Sequence, residues 1–552
     1  MKKSIKKKSA PKASQSEATL DQSNLELALT LKPRGVDLST VELLSSEVIK
    51  HSAVQKLLEK TRNRLLSFKL IESENESKST RMPPPPNRYQ AMIYDYTNNR
   101  AVVAEGHLNN LKEFTVAEFS SQPLPNREEF EAAVKILQKD KEFGPLISTQ
   151  RIQPYTPMPP LIEVELQDGR VERTLAVGLF SKGAQIQNRI VGVNMIQQSV
   201  LRELQDVASP SADSCGPPQD FNCPASSSTR SITVTVKQGS TVLWTFEVVR
   251  PQASSGTNGS GVELRYVNYR GKRVLYRAHV PILNVEYFDE GRRKGCGPTY
   301  RDWQNSETCF QATGTDVIPG FRICPTPAKT ILDTGSDSGN FQGVAIYVKG
   351  QEVVLVSEMQ AGWYRYISEW RLHANGTIRP RFGFAAGNNP CTCQAHHHHV
   401  YWRLDFDIRT AGNNVVEEFN SPPLIGSSNW HKKKYEIRRH KDAQRRRKWR
   451  VRNTRTGESY SIVPGANDGN VSSYGVGDLW VLRYRASEID DGQGFTSDPV
   501  ASQAHLDKFL NGESVENTDV VVWYAGHFLH DEAHGGGGSH IVGPDLIPLN
   551  WS

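Results

Sequence analysis

The stretch CTCQAHHHHVYWRLDFD, residues 391–407, decides how the chain reads. Four consecutive histidines, His396 to His399, lead into an apolar run that ends in acidic residues. Purification tags sit at termini, and this run is internal. In a strand, residues two apart project to the same face. His396 and His398 are therefore expected to point one way, and His397 and His399 the other. Two imidazoles at that spacing make neighbouring ligands for one ion, and imidazole suits copper, zinc, iron and nickel. A third ligand has to come from elsewhere. VVVWYAGHFLHDEAH, residues 520–534, follows an apolar strand with His527, His530 and His534. Taken alone, the HxH pattern also fits histidines that bind nothing.

Outward from this stretch, the C-terminal half is dominated by strands. SITVTVKQGSTVLWTFEVV, GVAIYVKGQEVVLVSEM, DLWVLRYRAS and similar runs alternate in polarity and are separated by Gly and Asn turns. Such runs predict a large β-sandwich or barrel over residues 231–552. Upstream, the pattern helix-then-strands occurs twice. Residues 41–68 have helical spacing and precede a hairpin around Thr97-Asn98-Asn99. PNREEFEAAVKILQKD carries Pro and acidic residues early and lysines late, which are helix-end preferences, and strands follow it. The expected organisation is a polar, disordered tail at 1–34, α+β domains at 35–120 and 121–207, a Ser/Pro/Cys-rich linker at 208–230, and the β domain.

The chain has 552 residues and a net charge of +6, too modest at this length to imply nucleic acid. No apolar run approaches the ~18 residues of a membrane helix, and the basic start lacks the apolar core of a secretory signal. The default expectation is cytoplasmic, with free thiols. The seven cysteines are odd in number and form no CxxC pair, which argues against a zinc ribbon or thioredoxin-like motif. The proximity of Cys215 to Cys223 and of Cys296 to Cys309 leaves disulfides open. Residues 431–453 are strongly basic and contain Tyr435 and Trp449. They fit a solvated hairpin or strand edge better than a nucleic-acid surface, so nucleic acid is not an expected partner.

Together these motifs resemble the catalytic domain of the copper amine oxidases. That family carries HxH, four residues, then RLD; here His396-His397-His398 is followed by HVYW and Arg403-Leu404-Asp405. The family's third copper histidine stands seven residues after the Trp of a VVW strand, as His530 stands to Trp523. GWYRYISEWRLHANGTI, residues 362–378, is similar to the strand in which the family converts a tyrosine to topaquinone, and Tyr364 takes that place. VLYRAHVPILNVEY, residues 274–287, resembles the preceding strand. Its Tyr287 matches the tyrosine that hydrogen-bonds the quinone. The resemblance implies copper on His396, His398 and His530, and topaquinone from Tyr364. It further implies a calcium or manganese site at Asp405, the Phe406 carbonyl and Asp519, two small α+β domains before the sandwich, and a homodimer. The implied reaction oxidises an amine to an aldehyde while dioxygen becomes hydrogen peroxide.

The chain departs from the family at several positions. Trp363 replaces the usual Asn before the quinone tyrosine, and Arg365 replaces an acidic residue after it. The family's catalytic aspartate aligns with Thr308, with Glu307 beside it as a candidate substitute; Asp289 in EYFDEG is a local lookalike. Cys324 matches one cysteine of the family's disulfide, but its partner near Val344 is missing. The glycine-rich run at 535–539 reads as a loop. Two readings stand: a divergent copper-dependent amine oxidase, and a non-catalytic or repurposed copper-binding relative that lacks the base.

Overall fold

The run KRVLYRAHVPILNVEY forms a single strand, Lys272–Tyr287, in which nearly every residue is buried. Burial on both faces marks it as a central strand. It lies between Glu263–Tyr269 and the histidine strand His396–Phe406, which in turn pairs with Val520–His530. These strands belong to a ten-stranded sheet. A twelve-stranded sheet covers it, with the tyrosine strand Tyr364–His373 between Glu352–Ala361 and Ile378–Ala386. The two inner faces share one apolar core, and their large aromatics satisfy their polar atoms across it. Trp244 donates to the His373 carbonyl at 3.0 Å, and Trp370 to that of Val262 at 2.8 Å. The molecule is mainly β, as expected, with a C-terminal sandwich behind smaller α+β units. This computed structural model describes residues 26–35, 38–71, 78, 85–120, 122–157, 160–165, 171–181, 189–202, 215–220, 223, 229–288, 296, 298–530 and 540–551. Asp289, His534 and the run at 535–539 lie outside the described residues.

The first small unit packs helices Leu38–Lys50 and Ser52–Leu58 on a four-stranded antiparallel sheet. The helix expected over 41–68 is thus shorter, because Asn63–Ile71 is a strand paired with Arg88–Asp95. NRLLSFKLI has apolar positions that suit either period, and a partner strand decides. The second unit sets helix Arg127–Gln138, capped by Asn126 on the Glu129 N–H at 2.8 Å, against a five-stranded sheet. Leu66, Tyr94, Leu137 and Leu175 lie in one core that joins the two units.

The first strand revises the expected tail. Leu27–Arg34 pairs antiparallel with Ser231–Gln238 at the edge of the ten-stranded sheet. Its sequence LALTLKPR alternates, and Pro33 is tolerated on an edge.

The cysteines also depart from expectation. Rather than free thiols, or pairs of near neighbours, they form the bonds Cys215–Cys393, Cys223–Cys309 and Cys296–Cys391. Cys324 is free and buried. Two of these bonds hold the turn Pro390–Cys393, immediately before the histidine strand. In the basic stretch several cations turn toward buried carboxylates. Lys433, Arg439 and Arg447 surround buried Glu418, and Arg450 and Arg452 hold Glu417. Trp449 is buried in the core, while Tyr435 is exposed. Among the described residues no helix is long and apolar enough to cross a membrane.

Candidate metal centre

Strand register builds the centre. Tyr287 pairs with His396, and His396 with His530, so the three lie in one row across adjacent strands. His398 follows His396 on the same face, as the two-residue period requires. Both rings are buried, and their Nε2 atoms stand 3.0 Å apart. His396 Nδ1 donates to the Gln394 carbonyl at 2.5 Å, which leaves the Nε2 lone pair available to a metal. The ring of His530 lies 4.8 Å from that of His396 and 6.0 Å from that of His398. One nitrogen from each of the three falls within 4.8 Å of the others. Burial pushes His396 down to about 4 and His398 well below the usual imidazole value. All three features suit copper: converging imidazoles, a fixed tautomer, and a neutral state at ordinary pH.

His399 and His527 face away from the trio. His399 and His527 meet through their Nδ1 atoms at 2.8 Å on the opposite side of the sheet, and His527 Nε2 lies 3.1 Å from Asp478. His527 is therefore no part of the trio.

Tyr364 starts its strand after a two-residue hairpin turn, in which Gly362 adopts φ +58°. Its ring is fully buried and lies 4.9 Å from His398 and 5.6 Å from His396. The hydroxyls of Tyr364 and Tyr287 are hydrogen-bonded to each other. Trp363, the unusual neighbour, donates from Nε1 to the Tyr287 hydroxyl at 3.4 Å. Arg365, the other unusual neighbour, has a local counter-charge: Asp337 binds it with two bonds of 2.7 Å each. Arg365 also donates to the Tyr364 carbonyl at 3.0 Å. Both departures from the family pattern thus make bonds that hold the tyrosines in place.

Glu307 forms a buried ion pair with Arg250, and the Thr308 N–H donates to the Glu358 carbonyl. No hydrogen bond among the described residues joins either one to Tyr364. Asp302 is the carboxylate that reaches the cluster, and sequence reading missed it. Its Oδ2 accepts a hydrogen bond from Tyr366, whose ring stacks 5.5 Å from that of Tyr364. Its Oδ1 is buried without a hydrogen-bond partner among the described residues. Burial raises the carboxyl to about 7, and raises the Tyr287, Tyr364 and Tyr366 phenols well above their usual value. The only sequence signal was its setting, an acidic residue in YRDW among aromatics.

At the expected second site Asp405 and Asp519 converge with Asp407 as a third carboxylate, and Phe406, whose carbonyl was the expected ligand, lies between Asp405 and Asp407 with its side chain buried. The Lys78 ammonium stands among the three carboxylates. A calcium or manganese ion does not fit beside it.

Residues 337–533 match the family described as copper amine oxidase, enzyme domain. That span includes Tyr364, His396, His398 and His530. No curated protein sequence matches the chain. Among solved structures, a copper-containing benzylamine oxidase from Hansenula polymorpha is similar with a TM-score of 0.58 and 13% identity, covering 92% of this chain and 96% of its own. An Aspergillus nidulans amine oxidase gives 0.53 and 12%, covering 94% of this chain and 88% of its own. A Pichia pastoris lysyl oxidase gives 0.54 and 11%, covering 91% and 89%. At these identities the structural likeness is one of fold. Together with the match over 337–533, it shows that the chain resembles the copper amine oxidases, at low identity.

Proposed function

We propose that this protein is a copper-dependent oxidase of primary amines. One observation carries the reading: His396, His398 and His530 converge beside the buried Tyr364. The similar structures of a benzylamine oxidase and a lysyl oxidase support amines as the substrate class. When bound, copper and a quinone formed from Tyr364 supply the electron sink through which a primary amine, dioxygen and water give an aldehyde, ammonia and hydrogen peroxide.

The chain's own residues prepare that chemistry. Burial holds His396 and His398 ready as ligands, and the Gln394 carbonyl further orients His396. The Tyr287 hydroxyl, itself bonded by Trp363, orients the Tyr364 oxygen. The Arg365–Asp337 pair fixes the backbone at Tyr364. Asp302 is assigned the base, in place of Thr308 or Glu307. Glu307 is engaged by Arg250, whereas Asp302 has an open Oδ1 and a carboxyl that burial raises to about 7, which suits general-base work. With a base available, the non-catalytic reading loses its motive.

Three disulfides persist best in an oxidising compartment, and we place the protein there rather than in the cytoplasm. We further propose a homodimer, as the family resemblance implies; sedimentation at working concentration tests it. For the function itself, the protein is loaded with Cu(II) in air, and its visible spectrum is recorded before and after phenylhydrazine. A quinone band that shifts with the hydrazine, and peroxide formed from a panel of primary amines, is the expected result. Bound copper with neither band nor peroxide overturns the proposal.

A further inference from the structure

Lys78 comes from the connection between strands Asn63–Ile71 and Arg88–Asp95 of the first small unit, yet its side chain ends inside the sandwich. The side chain is 1% exposed. Its Nζ lies 3.0 Å from Asp407 Oδ1 and 2.6 Å from Asp519 Oδ1, and it also bonds Asp405 Oδ1. An ammonium has three donors, and here each has a carboxylate. The face of Tyr484 stands 3.9 Å from Nζ and that of Tyr276 4.9 Å. Aromatic faces attract an ammonium. Two further cations complete the balance. Arg403 Nη1 lies 3.4 Å from Asp405 and Arg273 Nη1 3.9 Å from Asp407. Three carboxylates thus meet three cations of the chain itself.

We propose that Lys78 is a built-in cation: its ammonium takes the position of a divalent ion among Asp405, Asp407 and Asp519, leaving the protein one metal site, not two. A role for the contact follows from its ends. The Asp405 and Asp407 partners lie on or just beyond the histidine strand, and Lys78 belongs to the N-terminal part of the chain. The lysine therefore ties the first small unit to the strand that carries His396 and His398. A soluble ion could be removed from such a site by a chelator; a covalently attached one cannot.

The test uses Mn(II) and Ca(II) as probes on the copper-loaded full chain. Wild type is expected to hold no second divalent ion after dialysis, and its Tm should not move as Ca(II) is added. Lys78→Met keeps much of the aliphatic stem and removes the charge. This variant should take up Mn(II), read by its spin-resonance signal, and should gain Tm with rising Ca(II), as mass action on a native-state site requires. Copper content should stay unchanged in both. Second-ion binding by wild type as tight as by the variant overturns the proposal, as does a folded variant that binds none. Should the variant fail to fold, acylation of wild type decides the matter. Lys78 should resist the reagent while exposed Lys349 reacts, and equal reactivity of the two overturns the proposal.

Discussion

The Nε2 atoms of His396 and His398 stand 3.0 Å apart on one face of a single strand. His396 gives its other proton to Gln394, so its Nε2 faces His398 as a lone pair. Such a pair is stable with a shared proton between its members or with a metal ion bound by both. Replacing His396, His398 or His530 by Ala is expected to abolish stoichiometric copper. Losing a mere second-sphere contact costs about 10–100-fold in metal affinity, and losing a ligand should exceed that. Metal analysis after dialysis reads the result. His527→Gln should keep its copper, because that ring faces the other side of the sheet; loss of copper there would break the assignment of the trio.

Tyr364→Phe is expected to bind copper at the wild-type stoichiometry and to show neither a quinone band nor reaction with phenylhydrazine. The ring keeps its place against His398, so only the hydroxyl is removed. Tyr287→Phe removes the hydrogen-bond partner instead. It should keep the band and lower kcat more than it raises KM, since an orienting contact matters most as the reacting oxygen changes charge. A band that survives Tyr364→Phe would assign the chromophore elsewhere.

These residues were legible in the sequence because each sits on a strand whose two-residue period says which way it points, and because they follow one another in a specific order. Asp302 was not legible. It is one acidic residue among many, and only its burial against Tyr366 sets it apart. Lys78 was hidden for another reason: its partner Asp405 is 327 positions away. The disulfides were equally remote, with Cys215 and Cys393 separated by 178 positions. Proximity in sequence suggested pairs that the fold does not bring together. The Leu27–Arg34 strand was written in its alternation, but the basic, polar residues around it pointed to a tail.

Asp302 gives a pH dependence with a definite sign. The ionised carboxylate accepts the proton, so kcat/KM should rise with pH through about 7. Stability should run the other way. From the unfolded carboxyl value to about 7 the folded state holds a proton that the unfolded chain has lost, so stability falls as pH rises across that window. Asp302→Asn can still accept from Tyr366 but takes no proton. It should lower kcat by about 10²–10⁴-fold and flatten both profiles. An unchanged inflection of kcat/KM in this variant would return the search for a base to other residues.

Glu418 tests whether the basic stretch is structural. Its neighbours hold its carboxyl down at about 2, with burial opposing them. Its contribution to stability is therefore present above the unfolded carboxyl value and is lost as pH falls toward about 2. Glu418→Gln leaves Lys433, Arg439 and Arg447 without their shared counter-charge. Breaking a buried pair in this way costs about 3–5 kcal/mol, which denaturant titration can measure. The wild-type stretch should bind duplex DNA only weakly, because most of its cations already face carboxylates. Tight binding that weakens steeply with salt would reverse that reading.

The disulfides make the last prediction, and they connect the redox state of the protein to its metal. Intact mass should fall short of the fully reduced value by two hydrogens for each of the three bonds. The remaining thiol, Cys324, is buried and should react only on unfolding. Cys215–Cys393 and Cys296–Cys391 both anchor the short turn that precedes Gln394, and Gln394 orients the His396 ring. Replacing Cys296 and Cys391 together by Ser should cost about 2–5 kcal/mol of stability. It should also weaken copper binding, because the Gln394 carbonyl loses its fixed position. Removing Cys223–Cys309, which lies away from that turn, should lower stability without changing copper affinity. If both pairs of substitutions affect copper alike, the turn is not what holds the ligand in place.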